Sequence, residues 1–121
     1  MYAQLADLKS LGRAIAGAVR GAGYPVVIVA SSDMSHFNTD AVARVQDAMA
    51  IERLLALDPD GLYSTVRGHR ISMCGVLPAT VMLEAANQLG ARSAELVRYA
   101  TSGETSGDYD RVVGYAGVLV T

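Results

Sequence analysis

Pro25-Val26-Val27-Ile28-Val29-Ala30-Ser31-Ser32-Asp33-Met34-Ser35-His36 is the stretch that decides how this chain reads. Residues 25–31 are apolar and rich in β-branched side chains, with no polar alternation. That pattern predicts a strand covered on both faces, usually a parallel one. Residues 31–36 form a polar knot directly after it. Ligands in open α/β sheets bind outside the carboxyl ends of strands, so the knot lies where chemistry is expected. A second knot, Ser72-Met73-Cys74-Gly75, precedes an apolar stretch that reads as a buried helix. One of the two His residues and the only Cys sit in these knots.

Outward from the first knot, Leu5, Leu8, Leu11, Ile15 and Val19 recur at helical steps and predict a helix over 3–22, stopped by Gly21 and Gly23. Asn38, Thr39 and Asp40 offer N-caps for a helix running to about Leu57. Asp58-Pro59-Asp60-Gly61 is a turn, and a short helix follows over 60–68. Pro78 falls in the first turn of the next helix, which Gly90 ends. Residues 93–101 and 111–120 read as strands, joined by a Gly-, Ser-, Thr- and Asp-rich loop. The fold class is therefore α/β, with a mostly parallel or mixed sheet and flanking helices.

The chain has 121 residues, enough for one modest domain. It is 51% hydrophobic and 18% charged, which argues against disorder. A net charge of −2 without a basic cluster gives no nucleic-acid footprint. No apolar run reads as a membrane span, and the N-terminus lacks the parts of a signal peptide. A single Cys excludes an internal disulfide, and cytoplasmic localisation is expected.

His36 can act as a base or a ligand near neutral pH, and Asp33, three residues earlier, can orient its ring. The plainer reading makes Asp33 a backbone cap and His36 a rim residue. Cys74 lies before the helix that carries Pro78. A helix N-terminus favours negative charge on a sulfur there, hence a nucleophile or a soft metal ligand. A small buried hydrophobe is the commoner fate of a lone Cys. The helix over 39–57 carries the chain roughly 28 Å out at ~1.5 Å per residue, and 60–73 spans roughly 30 Å back. That path allows Cys74 to return beside His36. Ser32 at the strand end, with Ser102 and Thr105 in the late loop, are expected to line a ligand-binding cleft.

Several segments taken together carry a resemblance. They are Val27-Ile28-Val29-Ala30-Ser31-Ser32-Asp33-Met34-Ser35-His36, Leu57-Asp58-Pro59-Asp60-Gly61, Cys74-Gly75-Val76, Leu89-Gly90-Ala91, Arg98-Tyr99-Ala100-Thr101-Ser102-Gly103 and Arg111-Val112-Val113-Gly114-Tyr115-Ala116. In this order the chain resembles the C-terminal portion of the Memo-like family, called AmmeMemoRadiSam system protein B in prokaryotes. The resemblance implies a fold related to the class III (LigB-type) extradiol dioxygenases, which use non-haem iron. It also implies a pocket whose Asp, His and Cys fall on Asp33, His36 and Cys74. By analogy with the dioxygenases, His36 takes the place of the catalytic base, with Asp33 beside it. His36 and Cys74 stand at metal-ligand positions. Cys74 replaces a carboxylate ligand, which shifts preference from iron toward softer metals such as copper.

The two other pocket histidines belong to the family's N-terminal half, which residues 1–121 do not contain. Enzyme activity is therefore left open. The expectation is a Memo-like segment forming one wall of a pocket with metal-binding or redox potential, holding no tightly bound iron or copper alone. The alternative is a binding module whose vestigial pocket takes a peptide or small ligand. A third reading, a cysteine hydrolase using Cys74, lacks a substrate signature. Apolar strands with few helices to cover them predict a homo-oligomer or pairing with the missing N-terminal half.

Overall fold

The computed structural model describes residues 3–121; Met1 and Tyr2, and with them the start of the expected domain, lie outside the described residues. The elements in order are α1 (Leu5–Gly21), β1 (His36–Asn38), α2 (Asp40–Leu55), α3 (Pro59–Gly68), α4 (Val76–Gln88), β2 (Ala94–Thr101), α5 (Gly103–Ser106) and β3 (Val112–Val120). Two helices, α2 and α3, start where short polar side chains meet free backbone N–H groups. Thr39 caps α2 by accepting the Val42 N–H. Asp58 caps α3 by accepting the Gly61 N–H at 2.9 Å, with Pro59 at the first helical position. Gly90, at φ 89, follows the end of α4 in the left-handed region that glycine enters freely.

The three strands form an antiparallel sheet in the order β1-β3-β2. Its inner face covers the core. Leu96 and Tyr99 of β2 and Ala116 of β3 pack on Met34, Leu54, Leu62, Val66, Met73 and Leu83. α1 lies on α4, where Gly12 meets Val81 and Glu84 so closely that an added Cβ would stand 2.7 Å from the Glu84 Cβ.

The α/β class holds, but the expected parallel pairing does not: every strand pair is antiparallel. Residues 25–31 are not a strand. The chain joins β3 only at the next residues, where Met34 N–H donates to the Gly114 carbonyl and Gly114 N–H to the Ser35 carbonyl. Among the described residues, no backbone-to-backbone hydrogen bond involves 24–33. An apolar run satisfies the burial requirement of a central strand, but a ladder also needs a neighbour. Here β2 pairs with one edge of β3 over 114–120, and on the other edge only residues 34–38 reach β3. Val27 and Val29 are 85% and 81% exposed, and a cavity of about 380 Å³ separates residues 27–30 from β3. β2 is likewise covered on one face only, with Glu95, Val97 and Arg98 exposed. No helix of the described residues is long and apolar enough to cross a membrane.

Candidate metal centre

The first knot is fixed by its exit into the sheet. Met34 and Ser35 are buried against β3, so Asp33 and His36 on either side are held at the surface of the core. The second knot returns through α3, and Ile71 and Met73 anchor it in the core. Ser72, between them, meets His36 three times, once by donating its hydroxyl to the His36 carbonyl at 3.3 Å. The His36 N–H donates to Ser72 Oγ at 2.7 Å, and His36 Nδ1 lies 2.7 Å from the Ser72 carbonyl oxygen. A carbonyl only accepts, so Nδ1 carries a proton there. In the neutral ring, Nε2 is then left with its lone pair. That nitrogen faces Asp33 Oδ2 at 3.4 Å.

Cys74 completes the group. One ligand atom each from Asp33, His36 and Cys74 lie within 4.8 Å of one another. The sulfur accepts the Asp33 backbone N–H at 3.3 Å and lies 3.8 Å from Ser32 Oγ. Cys74 is an exposed free cysteine, not a buried hydrophobe. The two knots are clipped by Ser32, which accepts the Gly75 N–H at 2.8 Å and donates to the Asp33 carbonyl. Gly75 is required at that clip, because an added Cβ would collide with the Ser32 Cβ and stand 2.8 Å from the Ser31 carbonyl oxygen.

Chemically, the cluster is an imidazole nitrogen, a carboxylate oxygen and a sulfur, all electron-pair donors, meeting at the surface. None of the ion pairs among the described residues brings a Lys or Arg to Asp33. Such a donor set suits a first-row or softer divalent ion, or a monovalent copper ion, with positions left for an outside ligand.

Of the other expected site residues, Ser32 adjoins the cluster, whereas Ser102 and Thr105 stand apart from it. Ser32 is a bracket between the knots. Ser102 caps the end of the sheet: its Oγ accepts the Val113 N–H at 3.0 Å, and Val113 is the register partner of His36. Thr105 is exposed on α5 and its N–H donates to the Ser102 carbonyl. Neither makes a hydrogen bond to Asp33, His36 or Cys74 among the described residues.

Two residues at the site have roles that the sequence does not announce. Ser72, read only as the start of the second knot, holds the imidazole. Asp47 accepts the Ser35 N–H at 2.8 Å. A signal for it exists in α2, where Ala43, Asp47, Ala50 and Leu54 follow the helical repeat, so an acid sits on the buried stripe.

Residues 1–119 match the family described as Memo-like protein. The chain is 41% identical over 115 residues to a MEMO1 family protein of Pyrobaculum aerophilum, covering 95% of this chain and 41% of that protein. It is 42% identical over 108 residues to a MEMO1 family protein of Desulfurococcus amylolyticus, covering 89% of this chain and 38% of the relative. With a MEMO1 family protein of Methanocaldococcus jannaschii the identity is 44% over 95 residues, 78% of this chain and 33% of the other. The chain thus spans about two fifths or less of the length of these curated relatives.

Proposed function

This chain belongs to the Memo-like protein family, and from that premise we propose that it forms one wall of a dioxygenase-like pocket, with Asp33, His36 and Cys74 as a metal-binding set. The observation that carries this reading is the convergence of three donor atoms within 4.8 Å. Two of them, His36 Nε2 and Asp33 Oδ2, face each other at 3.4 Å. With Nδ1 protonated by its bond to Ser72, those two lone pairs repel unless a proton or a cation stands between them. A bound ion would supply Lewis acidity or one-electron chemistry at the mouth of the pocket. The chain's own contribution is to hold the imidazole through Ser72 and to orient the sulfur through the Asp33 N–H and Ser32. Without an ion on it, His36 Nε2 is the group that takes a proton from an outside ligand.

Three protein donors leave the site open, and this wall needs a second surface. We read residues 1–121 as the C-terminal part of a Memo-like domain, whose pocket a second copy or an N-terminal half completes. The exposed Val27 and Val29, and the lack of backbone-to-backbone hydrogen bonds over 24–33 among the described residues, support that reading. Sedimentation showing a monomer at micromolar concentration would exclude the second copy. A binding module is the second reading. It is favoured by the apolar cavity of about 380 Å³, which runs from Val27 to Ser32 beside the cluster.

Anaerobic calorimetric titration with iron(II) and copper(I) separates the two. The metal reading predicts one ion per chain, bound weakly enough to be lost in purification, with binding abolished in His36→Ala and Cys74→Ala. Unchanged heats in both variants would leave the binding module.

A further inference from the structure

We propose that Asp47 is a positioning residue of the Asp33–His36–Cys74 cluster, acting together with Tyr99 by holding the N–H of Ser35, the residue before His36. This rests on the metal-binding reading of the cluster. Asp47 lies in the middle of α2 and is 0% exposed, and among the described residues it forms no ion pair. A buried carboxylate without a cation is costly, and an apolar side chain of similar volume would suit its neighbours Ala43, Ala50 and Leu54 better. Among the described residues, the acid is held by two donors. Asp47 Oδ1 accepts the Ser35 N–H at 2.8 Å, and Oδ2 accepts the Tyr99 O–H at 2.5 Å.

Ser35 links the two ligand residues of the first knot. With its N–H on Asp47 and its carbonyl accepting the Gly114 N–H at 2.9 Å, its backbone cannot rotate. The following N–H, that of His36, is held by Ser72 Oγ. The direction of the imidazole therefore follows from a chain of contacts: Tyr99 on β2, Asp47 on α2, the Ser35 peptide, then His36. Gly114 closes the arrangement from the other side, since an added Cβ would overlap Asp47 Oδ2. The Ser35 N–H could be satisfied by water or by a strand. A carboxylate reaching out of a helix core to do it ties the ligand loop to two core elements at once. Outer residues of this kind typically change metal affinity 10–100-fold when altered.

The test uses the full chain, with zinc(II) as the probe ion, well below the unfolding temperature of each variant. Asp47→Asn keeps the shape but puts an NH₂ against either Ser35 or Tyr99. It is expected to stay folded by circular dichroism, to lose roughly 10–100-fold in zinc affinity, and to shift the His36 ring ¹⁵N resonances of the metal-free protein away from the Nδ1–H form. Tyr99→Phe keeps the Ser35 contact and is expected to lose several-fold in affinity. Asp58→Ala loosens α3 without touching these atoms, so it reports what destabilisation alone does, and its affinity is expected to be native. Folded Asp47→Asn with native zinc affinity and native His36 resonances overturns the proposal. If Asp47→Asn does not fold, a Tyr99→Phe variant with native affinity and resonances overturns it. Failure of the wild-type chain to bind zinc rejects the metal reading instead, and the His36 resonances still decide the role of Asp47.

Discussion

Gly114→Ala puts a methyl group where there is no space for one. The added Cβ overlaps Asp47 Oδ2 and stands 3.0 Å from both Asp47 Cγ and Tyr99 Oη. Asp47 is fully buried and cannot swing into solvent. Forcing a carbon into a packed interior costs about 1–3 kcal/mol. Displacing the carboxylate also strands the Ser35 N–H or the Tyr99 O–H, at about 1–3 kcal/mol for a buried donor left unpaired. Together these give a loss of about 2–6 kcal/mol, a large share of the 5–15 kcal/mol that holds a typical domain. The midpoint of thermal unfolding should fall by roughly 8–24 °C at about 4 °C per kcal/mol for a domain of this size. The control is Gly117→Ala on the same strand, where an added Cβ meets nothing within 4 Å. That change should stay within about 0.5 kcal/mol of the native chain. Urea unfolding followed by circular dichroism measures both. Gly114→Ala within 0.5 kcal/mol of Gly117→Ala would show that Asp47 does not sit behind the first knot as described.

Two further outcomes follow from the same geometry. Asp58→Ala removes the cap that accepts the Gly61 N–H; urea unfolding should show a loss of about 1 kcal/mol, and an unchanged midpoint would mean the cap is idle. Burial first, and the hydrogen bond to the Asp47 carboxylate second, raise the Tyr99 phenol well above the usual tyrosine range. A group whose folded value is raised contributes stability that is complete below the unfolded value, near 10, and is lost as pH rises past it. The stability difference between the native chain and Tyr99→Phe should therefore shrink as pH rises above about 10, and a constant difference would contradict the assignment.

α1 to α4 were legible because their signals are local, whereas the single turn of α5 lies in what reads as a loop. Thr39, Asp58, Pro78 and Gly90 each act on the backbone within a turn of themselves, and all four stand where the structure needs them. β2 and β3 were legible as extended apolar runs, and the meeting of the two knots from the reach of a helix out and a helix back. The Val26–Ala30 run was misread because side-chain composition reports burial, whereas a strand is completed by a neighbouring backbone. Residues 34–38 take the first rungs beside β3, and the preceding residues diverge from it. Asp47 was passed over because an acid inside a helix normally faces water. Only its place on the Ala43–Leu54 stripe distinguishes it, and the donors that satisfy it come from Ser35 and from Tyr99, 52 residues away. Long-range partners of that kind leave no mark in local sequence.

The central claim is that Asp33, His36 and Cys74 act as one cation site. Cobalt(II) titration followed by absorption spectroscopy tests it most directly, because a sulfur ligand produces a thiolate-to-cobalt charge-transfer band and its partners set the visible bands. The account predicts a charge-transfer band that saturates at about one cobalt per chain, disappears in Cys74→Ser, and is weakened with altered visible bands in His36→Ala. A native chain that takes up cobalt without the charge-transfer band, or a band that survives Cys74→Ser, would contradict it.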